Sequence, residues 1–416
     1  MAKNKYFIGY RCTLCGRFFK PDEASFTCPY CGEKGILDVI YNYDEMKKDV
    51  NFDYFKNNHD YSMWRYAPMM SIETDHIKDM LRIGWTPLIR SHNLAKLLGL
   101  ETLYIKDDGL NPSGSSKDRA SGVGVLKALE VGADTIATSS TGNAASSLAC
   151  QAAHAGLKSV IFVPKRAPIG KVTQISLYGA TLIKVDGDYK DTFAFSKAAI
   201  KKYGWYNRNC AINPHLVEGK KTVSLEISEQ LNFKPTDWVA VSVGDGCTVA
   251  GVYKGFHDLK ELGLIEKIPR ILAVQSTGCD PFVIADHEHK PLQEAEENTI
   301  ADSIAVGIPR NPVKAANAVK NSHGVWIDVP DEEILQAEAL LGRTEGVFGE
   351  PAATASLAGL IKALKQGIIQ KNESVTFIVT GNGLKDPANA QKVITPPEPM
   401  KPNLETLEKF LKEKEK

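Results

Sequence analysis

Short apolar runs alternate with longer amphipathic segments from about residue 102 to residue 204. The apolar runs predict strands, which are TLYIKDD (102–108), TIATSS (135–140), SVIFVP (159–164) and TLIKVDG (181–187). The amphipathic segments predict helices, which are SKDRASGVGVLKALEVG (116–132), GNAASSLACQAAHAG (142–156), KVTQISLYG (171–179) and DTFAFSKAAIKKYG (191–204). Short apolar strands that alternate with helices are typical of a parallel sheet covered on both faces.

A second series of apolar runs follows, again with helical segments between them. Its predicted strands are DWVAVSVGDG (237–246), RILAVQS (270–276), VWIDVP (325–330) and SVTFIVTGNG (374–383). We therefore expect an α/β fold with two doubly wound domains and a cleft where loops gather at the carboxyl ends of the strands. Residues 396–416 are rich in proline and then in charge, which predicts a linker and a short peripheral tail helix.

The N-terminal segment carries a cysteine pattern that differs from the rest of the chain. Cys12, Cys15, Cys28 and Cys31 form two C-x-x-C-G pairs separated by twelve residues, while the other four of the eight cysteines stand alone. Glycine after each second thiolate suits a tight turn, and four thiolates complete a tetrahedral shell without an open position. This pattern predicts a structural zinc site, with rubredoxin-like iron as the alternative.

Composition and charge restrict the classes of function and partner that are expected for this chain. The 416 residues contain 50 Lys and Arg and 50 Asp and Glu, so the zero net charge does not favour nucleic acid or an acidic membrane as a partner. No apolar run approaches the roughly 20 residues of a membrane span, and the N-terminus lacks the pattern of a signal peptide. We expect a cytoplasmic protein, in keeping with clustered rather than disulfide-type cysteines.

The stretch LNPSGSSKDRAS (110–121) places Lys117 behind a run of small residues and ahead of a predicted helix. One interpretation is a solvated lysine on the first turn of that helix. The other is a lysine whose uncrowded amine forms a Schiff base with an aldehyde cofactor. This stretch alone does not choose between them.

Three further loops lie at predicted strand ends. TSSTGNAAS (138–146) offers hydroxyls, an amide and backbone N–H groups, which suit either a carboxylate or helix capping. VSVGDGCTVAG (241–251) can curl into a phosphate nest but is neither a P-loop nor a GxGxxG fingerprint. VTGNGLKD (379–386) presents Thr380, whose hydroxyl could cap a helix or bind a ring nitrogen. Together with Lys117, these loops supply the groups that pyridoxal 5′-phosphate requires.

These motifs resemble those of the fold-type II pyridoxal-phosphate enzymes, and within them the threonine synthase group. The resemblance runs from the cysteine pairs to about residue 386 and includes GLNPSGSSKDR, SSTGNAA, VGDGCTVAG, GVFGEPAATA with Glu350, and TGNGLKD. It implies that Lys117 is the catalytic and cofactor lysine, that Asn143 binds the ring hydroxyl and that Thr380 faces the pyridine nitrogen. It also implies a homodimer.

The same resemblance assigns the remaining binding residues. Ser140, Thr141 and Gly142 would hold the substrate carboxylate. The cofactor phosphate would lie in a loop made of Gly244, Asp245, Gly246, Cys247 and Thr248.

One segment departs from the pattern. The family usually carries an arginine in the motif N-P-Y-R-x-E-G-Q-K-T, and this arginine helps bind the substrate phosphate. Here the segment reads NPHLVEGKKT (213–222), with Leu216 in place of the arginine. Cys210 and Ala211 replace an Asn-Ser pair that usually comes shortly before it. Leucine cannot imitate the charge-assisted bonds of arginine. A substitute charge could come from another cation, with Lys220, Lys221 and Arg310 as candidates.

The resemblance implies a domain division and an activity. We expect a zinc-ribbon-like segment at 1–45, a large cofactor-binding domain at 46–120 plus 216–395, a small α/β domain at 121–215, and the tail at 396–416. The expected activity is that of a lyase of amino-acid metabolism, converting O-phosphohomoserine and water into threonine and phosphate. The alternatives are a serine/threonine ammonia-lyase or a β-replacement enzyme acting on a non-phosphorylated amino acid, and a non-catalytic relative or zinc-ribbon binding protein.

Several other polar residues receive structural interpretations. Cys150, Cys210 and Cys279 are interpreted as small core residues. His154 and His215 have no visible carboxylate or metal partner. Asp118 and Arg119 are expected to cap the helix and to pair locally.

Overall fold

The structure is a computed structural model that describes residues 4–140, 142–165, 169–187, 189–396 and 398–414. Its strands are β1 Phe7–Cys12, β2 Phe18–Phe19, β3 Thr27–Cys28, β4 Gly32–Tyr41, β5 Leu88–Arg90, β6 Leu103–Asp107, β7 Thr135–Ser139, β8 Lys158–Pro164, β9 Thr181–Val185, β10 Tyr206–Asn207, β11 Trp238–Ser242, β12 Arg270–Ser276, β13 Val325–Val329 and β14 Val375–Val379.

The helices are α1 Tyr43–Asp49, α2 Phe52–Asn57, α3 Asn93–Leu98, α4 Lys117–Glu130, α5 Asn143–His154, α6 Ile169–Leu177, α7 Tyr189–Tyr203, α8 His215–Lys220, α9 Thr222–Gln230, α10 Cys247–Glu261, α11 Pro281–His287, α12 Pro312–Asn321, α13 Asp331–Glu345, α14 Pro351–Lys365, α15 Pro387–Ala390 and α16 Leu404–Lys414. Short 3₁₀ turns lie at Met63–Met69, Ile77–Asp79, Asp108–Leu110, Asp302–Ile304 and Gly383–Lys385.

The structure confirms the predicted α/β class and the alternation of strands and helices between residues 102 and 204. Every strand and helix predicted there is present, with ends that differ by a few residues. The predicted strands of the second series are also present, as β11 to β14, and the tail forms α16. The division into domains stays a prediction.

The larger sheet has six strands in the order β13-β12-β11-β14-β6-β5. Neighbouring strands run parallel except for β5, which pairs antiparallel with β6 at the sheet edge. Strands β11 and β14 are central, and every residue of both is buried, as expected for strands covered by helices on both faces. Their carboxyl ends lead into residues 243–247 and 380–386.

The smaller sheet has four parallel strands in the order β10-β7-β8-β9. Its core includes alanine, valine and leucine residues of α4 and α5 that pack against isoleucine and valine residues of β7 and β8. The alanine-rich helix α5 can lie close to the sheet because small side chains allow close approach. A short loop joins β7 to α5, and it opens at the carboxyl edge of this sheet.

The N-terminal residues form an antiparallel sheet in the order β2-β1-β4-β3. Lys254 of α10 donates to the Asp38 carboxylate at 2.8 Å and to the Val39 carbonyl at 2.6 Å. Lys314 of α12 donates to the Leu37 carbonyl at 2.7 Å. These two lysines connect β4 to the helices that pack on the larger sheet. None of the described helices is long and apolar enough to cross a membrane.

Candidate active site

A cavity of about 1010 Å³ lies where the carboxyl ends of the two parallel sheets meet. Its lining includes Lys117, residues 138–140 and 142–144, residues 208–212, residues 242–248 and Thr380. The three loops that the sequence singled out thus surround one lysine. A concave site with few convergent polar groups is the usual form of a small-molecule site.

Lys117 is the first residue of α4, and its neighbours fix its position. Ser116 N–H donates to the Thr380 carbonyl at 2.8 Å, and Ser115 forms a β-bridge with Gly381. Among the described residues, none forms a hydrogen bond with the Lys117 amine. Burial and the nearby charge of Lys220 lower the pKa of Lys117 to about 8. The amine is therefore neutral far more often at neutral pH than that of a solvated lysine.

The loop after β7 presents polar groups toward the cavity. Asn143 Nδ2 donates to Glu350 Oε1 at 2.6 Å and to Ser303 Oγ at 3.2 Å, which fixes the amide, while its Oδ1 is buried without a partner among the described residues. Ser140 Oγ accepts from Gly142 N–H at 3.2 Å. Thr141, the third predicted carboxylate residue, lies outside the described residues.

Residues 244–248 comprise the turn between β11 and α10 together with the first two residues of α10, and this segment is named the 244–248 loop. Gly246 has a φ of 84°, and a Cβ there would meet Asn311 O and Ala315 Cβ at 2.8 Å, so only glycine fits this turn. The first N–H groups of α10 have no acceptor within the helix and face the cavity end of the strand. Such an end attracts anions.

Asp245 and Lys220 determine the charge in and beside the 244–248 loop. The Asp245 carboxylate accepts from Arg310 N–H at 2.7 Å, so it is engaged by the loop before α12. Lys220 Nζ donates to Thr248 Oγ1 at 3.1 Å and lines the cavity. A positive charge therefore stands beside the loop although the loop itself carries an aspartate.

Thr380 and Glu350 lie on adjoining segments. Thr380 directly follows β14 and lines the cavity next to the Lys117 segment. Glu350 precedes α14, and its N–H donates to the Gly381 carbonyl at 3.0 Å. Burial raises the pKa of the Glu350 carboxyl, while Lys171, Lys385 and Lys117 oppose that shift.

The position of Leu216 does not face the cavity. Its side chain is fully buried against α4, where a Cβ on Gly124 would meet Leu216 Cδ2 at 3.0 Å and Arg208 Cγ at 3.6 Å. Arg208, which the sequence analysis missed, therefore passes over the same point of α4 and does line the cavity. It follows β10, a two-residue strand too short to recognise from a pattern.

The other candidate cations divide into two groups. Lys220 and Arg310 line the cavity. Lys221 is fully buried and paired with Glu218 and with Asp258 at 2.6 Å, so it cannot serve as a substitute charge there.

The interpretation of Cys210 as a core residue is wrong. Cys210 is half-buried, lines the cavity and contacts Cys247, while Cys150 and Cys279 are buried as predicted. The sequence carried no signal for this contact, because the two cysteines lie in segments that follow strands of different sheets. His215 is buried between Tyr10 Oη at 3.0 Å and Ser71 Oγ at 2.6 Å, which agrees with a structural role.

The four N-terminal cysteines converge at one point. Their Sγ atoms all lie within 4.8 Å of one another, and no other cluster of three or more such ligands occurs in the described part of the chain. Gly16 and Gly32 follow the second cysteine of each pair with φ of 71° and 62°. Zinc–sulfur bonds of about 2.3 Å place tetrahedral sulfurs roughly 3.8 Å apart, which this cluster can match. The donor set therefore fits a zinc ion.

The cavity also fits pyridoxal phosphate. Buried oxygens without partners among the described residues belong to Asn143, Ser139 and Ser242, and all three residues line the cavity. Buried polar atoms are normally hydrogen-bonded, so unpaired ones around a cavity indicate a polar ligand. The amine of Lys117, the helix end at the 244–248 loop and the Thr380 hydroxyl match the aldehyde, phosphate and ring nitrogen of that cofactor.

Comparison with known proteins gives a family match. Residues 80–381 match the model of the pyridoxal-phosphate dependent enzyme family. The chain is 38% identical over 408 residues to the threonine synthase of Methanocaldococcus jannaschii, covering 97% of this chain and 99% of that protein. It is 38% identical to the threonine synthase of Methanosarcina acetivorans, covering 95% of this chain and 97% of that protein.

Solved structures show the same fold at low sequence identity. The processed form of threonine deaminase isoform 2 from Solanum lycopersicum has a TM-score of 0.64 and 18% identity, covering 94% of this chain and 97% of that one. Diaminopropionate ammonia lyase from Escherichia coli has a TM-score of 0.65 and 20% identity, covering 76% of this chain and 89% of that one. These likenesses describe the fold alone.

Proposed function

This chain belongs to the pyridoxal-phosphate-dependent enzyme family, and from that premise we propose that it catalyses the threonine synthase reaction on O-phosphohomoserine and water. The observation that carries the proposal is one cavity that is lined by Lys117, by an anion-binding helix end and by a buried arginine, Arg208. The helix end suits the phosphate of the cofactor, and Arg208 supplies a separate positive charge for the phosphate of the substrate.

We propose that Lys117, Asn143, the 244–248 loop and Thr380 hold the cofactor. When bound, pyridoxal phosphate supplies a conjugated system that stabilises negative charge at the substrate α-carbon. The Asn143 amide nitrogen donates to Glu350, which fixes the orientation of this side chain. Its unpaired oxygen or its amide nitrogen would thereby be positioned beside the cofactor ring. Lys220 and the first N–H groups of α10 neutralise the phosphate.

Lys117 is also the proposed base for the substrate α-proton. A base works best when its pKa is close to the working pH, and burial together with Lys220 brings the pKa of Lys117 to about 8. Thr380 offers a neutral hydroxyl, which keeps the ring nitrogen from carrying a full positive charge and favours elimination over transamination. Ser140, Thr141 and Gly142 would orient the carboxylate.

Arg208 is the residue that we propose for the substrate phosphate. Its guanidinium donates to Ser121 Oγ through Nε at 3.1 Å and Nη2 at 2.9 Å, which holds the group rigid on the cavity wall. Because Arg208 and Leu216 approach the same glycine of α4, an arginine from position 208 can replace one from position 216. Arginine suits phosphate through its planar fork of donors.

Arg208→Gln is expected to lower kcat/KM for O-phosphohomoserine by about 10- to 100-fold, the worth of one lost charge-assisted hydrogen bond to phosphate. The loss should fall mainly on KM, and inhibition by inorganic phosphate should weaken in parallel. Steady-state assays of phosphate release measure both quantities. Arg208→Lys should recover part of the loss because it keeps the charge.

Arg90→Gln, an exposed arginine on β5, is the matched control and should leave KM unchanged. Equal effects of Arg208→Gln on serine turnover and on O-phosphohomoserine turnover would contradict the phosphate role. Formation of keto acid from serine or threonine, with no threonine made from O-phosphohomoserine, would identify an ammonia-lyase instead. Failure of the purified protein to bind the cofactor would identify a binding protein.

We also propose a structural zinc ion at Cys12, Cys15, Cys28 and Cys31, supported by the convergence of the four sulfur atoms. A structural zinc contributes on the order of 10 kcal/mol to the folding of a small module. Replacing the exposed Cys15 with serine is therefore expected to remove the metal and to add an early thermal transition. Elemental analysis and calorimetry measure the two effects, and Leu14→Ser, an exposed neighbour between ligands, is the control.

Loss of the zinc should also weaken the binding of the cofactor. Ile36 of β4 packs against Cys247, the first residue of α10, and β4 carries the segment next to the metal ligands. A disordered β4 would remove one wall of the 244–248 loop. Unchanged cofactor retention in the Cys15→Ser protein would contradict this coupling, and iron in place of zinc would correct the identity of the metal. The proposal also includes a cytoplasmic homodimer and the domain division given above.

A further inference from the structure

Cys210 and Cys247 are adjacent in the cavity wall although they belong to separate parts of the chain. Cys210 lies in the segment between β10 and α8, and Cys247 opens α10. Both residues pack in one small cluster with Ile36 and Ala211, and each thiol shifts the pKa of the other. Both line the cavity, so small molecules that enter it reach this pair.

The surroundings make Cys210 the more reactive thiol. The adjacent Cys247 thiol and the charges of Lys220 and Arg208 lower the pKa of Cys210, against the effects of burial and Asp245. The thiolate is the nucleophilic form of cysteine, and neighbouring cations favour it. The adjacent Cys210 thiol and burial raise the pKa of Cys247, so Cys247 remains the protonated partner.

The two other isolated cysteines, Cys150 and Cys279, differ from Cys210 in the direction of their pKa shift. Burial raises the pKa of Cys150 and of Cys279 to about 11, so both remain thiols at neutral pH. The proposed reaction uses no thiol, and the 244–248 loop would contact phosphate through backbone N–H groups. A paired, partly ionised thiol in this place therefore has no use in the reaction as described.

We propose that Cys210 and Cys247 form a thiol modification site that closes to a disulfide with a peroxide, and that the closed form binds the cofactor phosphate less tightly. The Cys210 thiolate attacks one peroxide oxygen, the O–O bond breaks, and a sulfenic acid and water result once a proton is taken up. Cys247 sulfur then attacks the sulfenic sulfur, the S–S bond forms and a second water leaves. Two thiols are oxidised and one hydrogen peroxide is reduced to two waters.

The effect on the phosphate follows from the packing of the 244–248 loop. A bond between the sulfurs pulls the first residue of α10 toward the Cys210 segment, closer than a non-bonded contact allows. The loop cannot follow freely, because a Cβ on Gly244 would meet Ile304 Cα at 2.9 Å and Gly246 is equally confined. The N–H groups at the start of α10 thus lose their alignment. This second half of the inference rests on the proposed cofactor assignment, while the disulfide itself does not.

The test treats the zinc-loaded holoenzyme with hydrogen peroxide and maps its peptides by mass spectrometry without reduction. The expected product is a Cys210–Cys247 cross-link that dithiothreitol reverses, formed before Cys150 and Cys279 react. The dissociation constant of pyridoxal phosphate, read from its visible absorbance, should rise about tenfold, as for one lost charge-assisted hydrogen bond. Cys210→Ser should abolish the cross-link and the response to peroxide, and Cys150→Ser should preserve both.

Two results would overturn parts of the inference separately. Oxidation of Cys210 at the same rate as Cys150, or without a cross-link to Cys247, removes the modification site. A cross-link that forms while the dissociation constant stays unchanged removes the effect on the cofactor. Because the peptide map does not depend on cofactor binding, a chain that binds no pyridoxal phosphate would still report on the disulfide and would instead refute the proposed function.

Discussion

Replacing Lys117 with alanine is expected to reduce threonine formation from O-phosphohomoserine by at least about 1000-fold, since a positioned general base alone contributes about 10² to 10⁴. The substitution also removes the proposed covalent anchor of the cofactor, because Lys117 is the cavity-lining residue that offers the amine. Phosphate release and threonine formation measure the first effect. Borohydride reduction followed by peptide mapping measures the second, since the cofactor should be fixed to Lys117 only in the wild-type chain.

The pH dependence of cofactor loading provides an independent test of the role of Lys117. Burial and the charge of Lys220 lower the pKa of Lys117 to about 8, so its amine is protonated below that pH and neutral above it. The rate at which the cofactor-free protein gains visible absorbance should therefore rise with pH through about 8. Lys220→Met removes a neighbouring positive charge, which raises the pKa of Lys117 and shifts this rise to higher pH.

Two variants control the Lys117 result. Lys117→Arg keeps the charge but offers no nucleophilic amine at neutral pH, so it should be as inactive as the alanine variant. Lys127→Ala removes a lysine from the same helix, where its partner is Glu130, and should retain full activity. Activity of Lys117→Ala above a tenth of the wild-type value would refute the assignment of the cofactor lysine.

The elements between residues 102 and 204 could be predicted because each apolar run is bounded by glycine or polar residues, and its length separates strand from helix. The metal cluster could be predicted because its ligands are close in sequence. By contrast, β5 was not predicted, since three residues at a sheet edge carry no periodic pattern. Cys210 and Cys247 could not be paired, because their contact depends on how the two parallel sheets face each other.

Arg119 shows where local reasoning fails. Its neighbour Asp118 does act locally, accepting from Ser113 N–H at 2.7 Å, although Gln151 Nε2 of α5 also donates to it at 2.9 Å. The prediction that Arg119 pairs locally is wrong in its main part, because its guanidinium binds both Asp108 and the distant Glu226. Arg119 and Glu226 are 107 residues apart, so the sequence does not indicate that they pair. Because Arg119, Asp108 and Glu226 are all buried, removing one of these charges should cost stability.

Replacing Arg119 with methionine is expected to lower the free energy of unfolding by about 3–5 kcal/mol, the usual cost of removing one partner from a buried ion pair. The guanidinium donates to Asp108 Oδ2 at 2.8 Å, to Glu226 Oε2 at 2.8 Å and to Thr222 Oγ1 at 2.8 Å, with side chains essentially inaccessible to water. Methionine fills a similar volume, so the loss reflects charge. Urea unfolding of the cofactor-free protein measures it.

The control for this variant is Arg343→Met on the exposed face of α13, which should change the free energy of unfolding by less than about 0.5 kcal/mol. A conservative test of the mechanism combines Arg119→Met with Glu226→Gln, which neutralises one stranded carboxylate and should recover part of the stability. Equal stabilities of Arg119→Met and wild type would show that the network contributes no net free energy.

The pH dependence of stability separates the charge effect from a packing defect. Burial alone would raise the pKa of Glu226, but the charges of Arg119 and Lys106 hold it at about 2 in the folded protein. A depressed pKa contributes stability that is fully present above the unfolded value of about 4.3 and is lost as the pH falls toward 2. The gap between wild type and Arg119→Met should therefore be largest near pH 7 and should narrow below about pH 4. A cavity or a clash would leave that gap constant with pH, so a pH-independent difference would show that packing, not the buried ion pairs, accounts for the lost stability.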